Sequence, residues 1–163
     1  MNVLPLVEVS QTPEEKFREY LASRPRPQRF TTQQRDMVQY IFSKHNHFDA
    51  DELIDEMKSE GFRVSRATVY RTLNKLVDAS LLRRINLETR TVYEHDYGYA
   101  QHDHIHCEQC GTMIEFQNPQ LDELIREMCE QHQVQYQGHT FVIRCVCVTC
   151  NRARMTKRRL DLV

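Results

Sequence analysis

An α+β fold in two parts is predicted by three features of this 163-residue sequence. Capped helical patterns followed by a polar-turned hairpin fill its first half. All six cysteines lie at or beyond Cys107, and four of the eight histidines crowd between His95 and His106. The predicted class is an N-terminal winged helix-turn-helix domain followed by a small zinc-stabilised α/β domain. Residues 1–94 form the first domain, 95–101 a hinge, and 102–163 the second.

Composition limits the alternatives. With 22 basic and 23 acidic residues and 40% apolar content, the chain is globular rather than disordered or fibrous. Its length allows one core or two small ones. No apolar run approaches the roughly 20 residues that span a bilayer, and the opening MNVLPLVEVSQ lacks the basic and apolar regions of a secretory signal. No membrane partner and a cytoplasmic location are therefore expected. Six cysteines in that setting argue for metal or redox chemistry in a reducing compartment, not a disulfide scaffold.

Thr12-Pro13-Glu14-Glu15 is a capping box with proline at the first helical position, and it opens a short helix through Phe17, Tyr20 and Leu21. Arg24-Pro25-Arg26-Pro27 stops it, since proline disfavours helix at the residue before it. A second helix starts near Thr31 or Thr32 with Val38, Ile41 and Phe42 on its buried stripe. A third starts at Asp49, buries Leu53, Ile54 and Met57, and closes at Gly61. The fourth starts at Ser65 and buries Val69, Leu73 and Leu76. Strands at Leu82–Asn86 and Thr91–Glu94 with a polar turn complete the winged-helix order. Beyond the hinge, strands are expected around His104–Cys107 and Met113–Gln117, with a helix capped by Asn118-Pro119 that carries Leu121, Leu124, Ile125 and Met128 on one face. Extended structure over 133–145 and a basic tail from Arg152 to Arg159 finish the chain.

The fourth helix divides into an apolar sector and a polar fan of Tyr70, Arg71, Asn74 and Lys75, with Arg66 at its start. N-terminal residues of a recognition helix meet base edges in the major groove of double-stranded DNA. Arg71 suits a bidentate grip on guanine and Tyr70 a thymine methyl, with Arg83, Arg84 and Arg90 of the hairpin expected on phosphates. The bland alternative is a solvated helix face; only Asp78 offsets the basic residues between Ser65 and Arg84.

Cys107-x-x-Cys110-Gly111 and Cys147-x-x-Cys150 can supply four thiolates to one tetrahedral Zn(II), a closed structural site. Its binding energy is folding energy, which lets a domain of about 60 residues stand. A thioredoxin-type redox pair needs a strand-to-helix setting that neither motif has. Cys145 offers an alternative pairing with Cys147, though 147 and 150 are preferred, and Cys129 reads as a buried structural thiol. On a strand, His102, His104 and His106 share a face while Asp103 points the other way. Same-face imidazoles can grip one metal ion completed by carboxylates. A hydrolase with a metal-bound water is the enzymatic alternative, but no nucleophile motif, phosphate loop or acid/base pair accompanies the cluster, and no enzyme is expected.

R-A-T-V-Y-R-T-L in the fourth helix, H-D-H-I-H-C-E-Q-C-G after the hinge, and a C-x-x-C eight residues after His139 together resemble the ferric uptake regulator family over roughly Phe30 to Cys150. The resemblance implies a metal-responsive repressor binding operator DNA. It also implies a homodimer formed through the second domain (tetramers of paired dimers being an alternative), a structural zinc, and a regulatory site of His47, Glu94, His102, His104 and Glu115. A further family site would use Asp103, Asp122 and His139, with Gln101 where a histidine is often found. The basic arm from Arg24 to Arg29 could reach a minor groove. Glu115 rather than aspartate looks more like iron sensors than peroxide sensors of the family, and an all-nitrogen-and-oxygen site suits Fe(II), with Mn(II) or Zn(II) as alternatives. A constitutive zinc-stabilised nucleic-acid adaptor is the remaining rival.

Overall fold

Each helix start in the N-terminal half is a side chain that caps otherwise unsatisfied amides. The computed structural model describes residues 7–44 and 46–160, with side chains through Arg154. These form two compact units that part between Ala100 and Gln101.

In the first unit, Thr12, Thr31 and Asp49 each close a reciprocal capping box, at the heads of α1 (Pro13–Ser23), α2 (Thr32–Phe42) and α3 (Ala50–Ser59). Ser65 caps α4 (Arg66–Asp78). The apolar stripes of the four helices meet in one core: Phe17 and Leu21 from α1, Met37, Val38 and Ile41 from α2, Leu53, Ile54 and Met57 from α3, and Val69, Leu73 and Leu76 from α4. A two-residue strand β1 (Phe48–Asp49) pairs antiparallel with β3 (Thr91–His95), which pairs antiparallel with β2 (Leu82–Asn86). The turn closes where the Leu87 N–H donates to the Arg90 carbonyl at 2.9 Å. This is the winged-helix order expected, with β1 added and β3 one residue longer. Residues assigned to a hinge begin inside this unit. His95 ends β3, lies against the Ile41 carbonyl at 3.0 Å and stacks on Phe42, and the Asp96 N–H donates to Leu81.

The second unit centres on β4 (Asp103–Cys107). It pairs antiparallel with β5 (Met113–Phe116) and parallel with β6 (Val142–Cys145), and α5 (Pro119–Gln131) makes the crossover that a parallel pairing requires. One expectation is met only in part here, and one element was not foreseen. Of the stretch 133–145 expected as extended, only β6 is strand, and the basic tail is a helix, α6 (Val148–Leu160). Among the described residues beyond Gln101, Cys107 is the only buried apolar side chain.

Three helices end in the same Schellman geometry. After α3 the Gly61 and Phe62 amides donate to Lys58 and Met57; after α4 Ser80 and Leu81 donate to Val77 and Leu76; after α5 Gln133 and Val134 donate to Glu130 and Cys129. The motif needs a left-handed residue, supplied by Gly61 at φ 85° but by Ser80 at 52° and Gln133 at 54°. A side chain in that region costs energy that glycine avoids, offset in part by the greater freedom of glycine when unfolded. Ser80→Gly is therefore expected to raise stability by about 0.5–1 kcal/mol in denaturant unfolding. A loss instead would mean that the Ser80 side chain itself holds the turn.

Candidate metal centres and nucleic-acid interface

The end of β4 and the start of α6 bring the two cysteine pairs together. Gly111, at φ 73°, lets the knuckle turn back so that its N–H donates to the Cys107 carbonyl and the Cys107 N–H donates to Thr112. The sulfurs of Cys107, Cys110, Cys147 and Cys150 all lie within 4.8 Å of one another, Cys110 to Cys147 at 3.9 Å. A disulfide would need about 2.05 Å. A tetrahedron of 2.3 Å Zn–S bonds has edges of about 3.8 Å, so the spacing fits Zn(II). The charges agree with it. The Cys147 N–H, donating to the Cys107 sulfur at 3.3 Å, leads the causes that lower that thiol to about 6. Cys150, hydrogen-bonded to Cys147 and Cys110, is pushed up to about 12. Such a cluster holds some negative charge but needs a cation to become four thiolates. Cys145 stands outside it, paired in register with Cys107, its thiol pushed up first by burial. Cys129, expected buried, is half-buried on α5.

Histidines and carboxylates gather in both units. In the first, His47 Nε2 lies 2.9 Å from Glu94 Oε2. The hairpin register sets Arg83 opposite Glu94, and the guanidinium lies 3.6 Å from Glu94 Oε1 and 2.6 Å from Asp96 Oδ1. With its side chain only 15% exposed, Arg83 faces these carboxylates and is not the phosphate contact expected of it. Arg90 lies near Asp49 and Glu52 at 3.5 and 3.4 Å, and both it and Arg84 are exposed. In the second unit His104 faces Glu115 across β4 and β5, with ligand atoms within 4.8 Å. The buried His102 packs edge-on against the His104 ring at 4.9 Å, but is not in any group of converging donors.

Asp103, on the other face of β4, meets His139 Nε2 at 3.2 Å, and Asp122 lies 3.8 Å from the same nitrogen. Tyr136 Oη sits 2.7 Å from His139 Nδ1. If the phenol accepts from Nδ1–H, Nε2 presents a lone pair to a cation; if it donates, Nε2 carries the proton that bonds Asp103. Gln101 directs its amide nitrogen to the His139 carbonyl at 3.1 Å.

Along α4, Arg66, Tyr70, Arg71 and Asn74 are exposed and Lys75 half-buried. Asp51 of α3, unnoticed in the sequence, accepts from both Arg66 (2.8 Å) and the Tyr70 hydroxyl (3.2 Å). Arg71 Nε donates to Ala67 one turn back. Lys75 donates to Gln28 at 2.6 Å, which ties the basic arm to the reading helix. Burial, then the charges of Arg71 and Arg24, lower the pKa of Lys75. Crowded cations of this kind gain when a polyanion replaces their counterions.

The model of the ferric uptake regulator family matches residues 26–144. The chain belongs to the ferric uptake regulator family. It is 34% identical over 113 residues to the ferric uptake regulation protein of Neisseria gonorrhoeae, covering 68% of this chain and 78% of that one. It is 32% identical over 124 residues to the peroxide-responsive repressor PerR of Staphylococcus aureus, covering 75% and 82%. Among solved structures, the ferric uptake regulator of Francisella tularensis with iron aligns at a TM-score of 0.67 and 25% identity, over 78% of this chain and 98% of that one. Members of the family are metal-responsive, DNA-binding regulators of transcription rather than enzymes. No helix among the described residues is long and apolar enough to cross a membrane.

Two outcomes follow from this geometry. Cys107→Ser or Cys110→Ser should lose one tightly held zinc per chain, read by metal analysis, and unfold the second unit, because structural zinc contributes about 10–16 kcal/mol to such folds. A variant that stays folded and zinc-loaded would remove that cysteine from the ligand set. Tyr70→Ala and Arg71→Ala should each weaken operator binding while metal content is kept. For Arg71 the cost should be roughly 1–3 kcal/mol at one base position of each half-site. Uniform weakening across sequences would make Arg71 a phosphate contact.

Proposed function

We propose that this chain is an Fe(II)-sensing, dimeric repressor that grips double-stranded operator DNA when its regulatory metal site is filled. One observation carries the reading: each unit presents half of a nitrogen-and-oxygen ligand set. The first unit offers the His47–Glu94 pair, and the second offers His104 opposite Glu115 with His102 beside them. A set without thiolate suits Fe(II) over Zn(II). Asp103, Asp122 and His139 would form an accessory cation site.

The half-sets supply the switch. An effector shifts an equilibrium only by its differential affinity for two states. Donors drawn from both units are satisfied together in one arrangement only, so the filled site selects that arrangement. A hundredfold gain in DNA affinity requires about 2.7 kcal/mol of coupling. Arg83 holds the Glu94 charge when no metal does, which keeps the first half-set in place.

Dimerisation is supported by what the second unit leaves uncovered. Ile114, Leu124, Met128 and Val134 are each more than half exposed in a single chain. Apolar side chains gathered in so small a unit mark a surface for a partner, and a second copy presents the same surface.

His47→Ala and His104→Ala test the switch. Each should keep its structural zinc and its dimer, yet bind operator no better with anaerobic Fe(II) than without. A His47→Ala protein that responds to Fe(II) like the parent would sink the shared-ligand mechanism. A peroxide-sensing reading, favoured by the likeness to the Staphylococcus aureus repressor, predicts instead that Fe(II)-loaded protein exposed to peroxide gains oxygen on a histidine, seen by mass spectrometry.

A further inference from the structure

From Gln131 to Leu160 the chain holds no acidic residue, although the whole chain has 23 acids against 22 bases. Six basic residues fall in that stretch, and five of them, Arg152, Arg154, Lys157, Arg158 and Arg159, lie on α6. This helix lies beyond the segment that matches the family, which ends at residue 144. No part of the regulatory or reading machinery described above uses it.

Three observations bear on what α6 is for. First, Cys147 and Cys150 flank its start, and the Asn151 N–H donates to the Cys147 carbonyl at 2.9 Å, so the zinc cluster seeds its first turn. A free 13-residue helix is marginal in water, and like charges weaken it further. Anionic thiolates at the helix start oppose that loss through the helix dipole. Second, Val148, Thr149, Asn151, Arg152, Ala153 and Arg154 are all exposed. Third, the exposed apolar residues of α6 do not share a face: at 100° per residue Val148 and Ala153 fall about 140° apart. A helix that lies on a membrane needs a single apolar face, and so does one that packs into a groove.

A short basic helix anchored at one end suits a ligand with a dense, regular array of negative charge. Duplex DNA carries one charge per about 1.7 Å of axis. We propose that α6 is a second DNA-binding element, a zinc-seeded basic arm that contacts backbone phosphates without reading sequence. It adds affinity for any duplex, whereas α4 discriminates among them.

The test replaces Arg152, Arg154, Lys157, Arg158 and Arg159 together with glutamine in the full-length, zinc-loaded protein. Binding to a duplex of unrelated sequence is measured across salt concentrations without Fe(II), so neither operator recognition nor metal response is required. Every phosphate that a cation no longer neutralises takes about 0.9 off the slope of log affinity against log salt. The slope should fall by about 2 or more, and affinity at low salt by about tenfold or more. A version with lysine in place of the four arginines should keep both. Arg158→Gln with Arg159→Gln, placed at the far end from the zinc cluster, should show a smaller loss in the same direction and guards against misfolding of the fivefold variant. Zinc content and elution volume must match the parent. An unchanged slope in both glutamine variants would overturn the proposal. So would loss of binding to phosphatidylserine vesicles with duplex binding intact, which would assign α6 to a lipid surface.

Discussion

Everything beyond Gln101 depends on a shortage of core. Among its described residues the second unit buries one apolar side chain, Cys107, and that residue is a sulfur donor. A three-stranded sheet with one crossover helix cannot meet the entropy of ordering about 60 residues on so little burial. Two substitutes for a core are visible in its residues. Four sulfurs within 4.8 Å give a site where metal binding becomes folding energy. An apolar stripe on α5 and β5 stands exposed in the single chain and stabilises the unit only when something covers it. The first unit needs neither, because four capped helices close a full core around Met37, Leu53 and Leu73.

That difference explains what was legible in the sequence. In the first unit each helix follows local rules that a sequence displays, such as the boxes at Thr12, Thr31 and Asp49 and the stripe Val69, Leu73 and Leu76. The cysteine spacing was equally readable, since zinc fixes ligand number and geometry. What escaped reading depends on partners far away in the chain. The two residues of β1 form a strand only because Tyr93 and Val92 lie beside them. The basic tail lacks a helical apolar stripe and no element was expected of it, yet α6 runs through it and opens where the Asn151 N–H donates to the Cys147 carbonyl. Arg83 reads as one more exposed cation of a hairpin. Its inward role depends on register: a turn over 87–90 puts it opposite Glu94, and a slip of one residue would have put Arg84 there.

Paired charges recur wherever a functional group is held ready. Glu94 is buried and would be costly as a lone carboxylate. His47 and Arg83 lie against its two oxygens at 2.9 and 3.6 Å and offset that cost. Asp103 is held in the same way by His139 and the Phe141 N–H.

On the proposed function, α4 applies this principle at the surface, where the pairing bears on binding rather than on stability. Asp51 holds Arg66 and the Tyr70 hydroxyl in the free protein, and that pair is too exposed to contribute much to folding. Its effect lies in the difference between bound and free states. A duplex must replace the Asp51 oxygen at Arg66 and Tyr70, and it also meets a carboxylate close to its own phosphates. On the proposed function, contacts through these two side chains are discounted by what they leave behind, and by the same amount at every site. Arg71 gives up only a bond to its own helix turn, so its gain on finding a guanine is nearly undiminished. On the proposed function, selectivity on this helix therefore rests on the direct contact at Arg71, while the Asp51 pair lowers the net gain of any contact made through Arg66 and Tyr70.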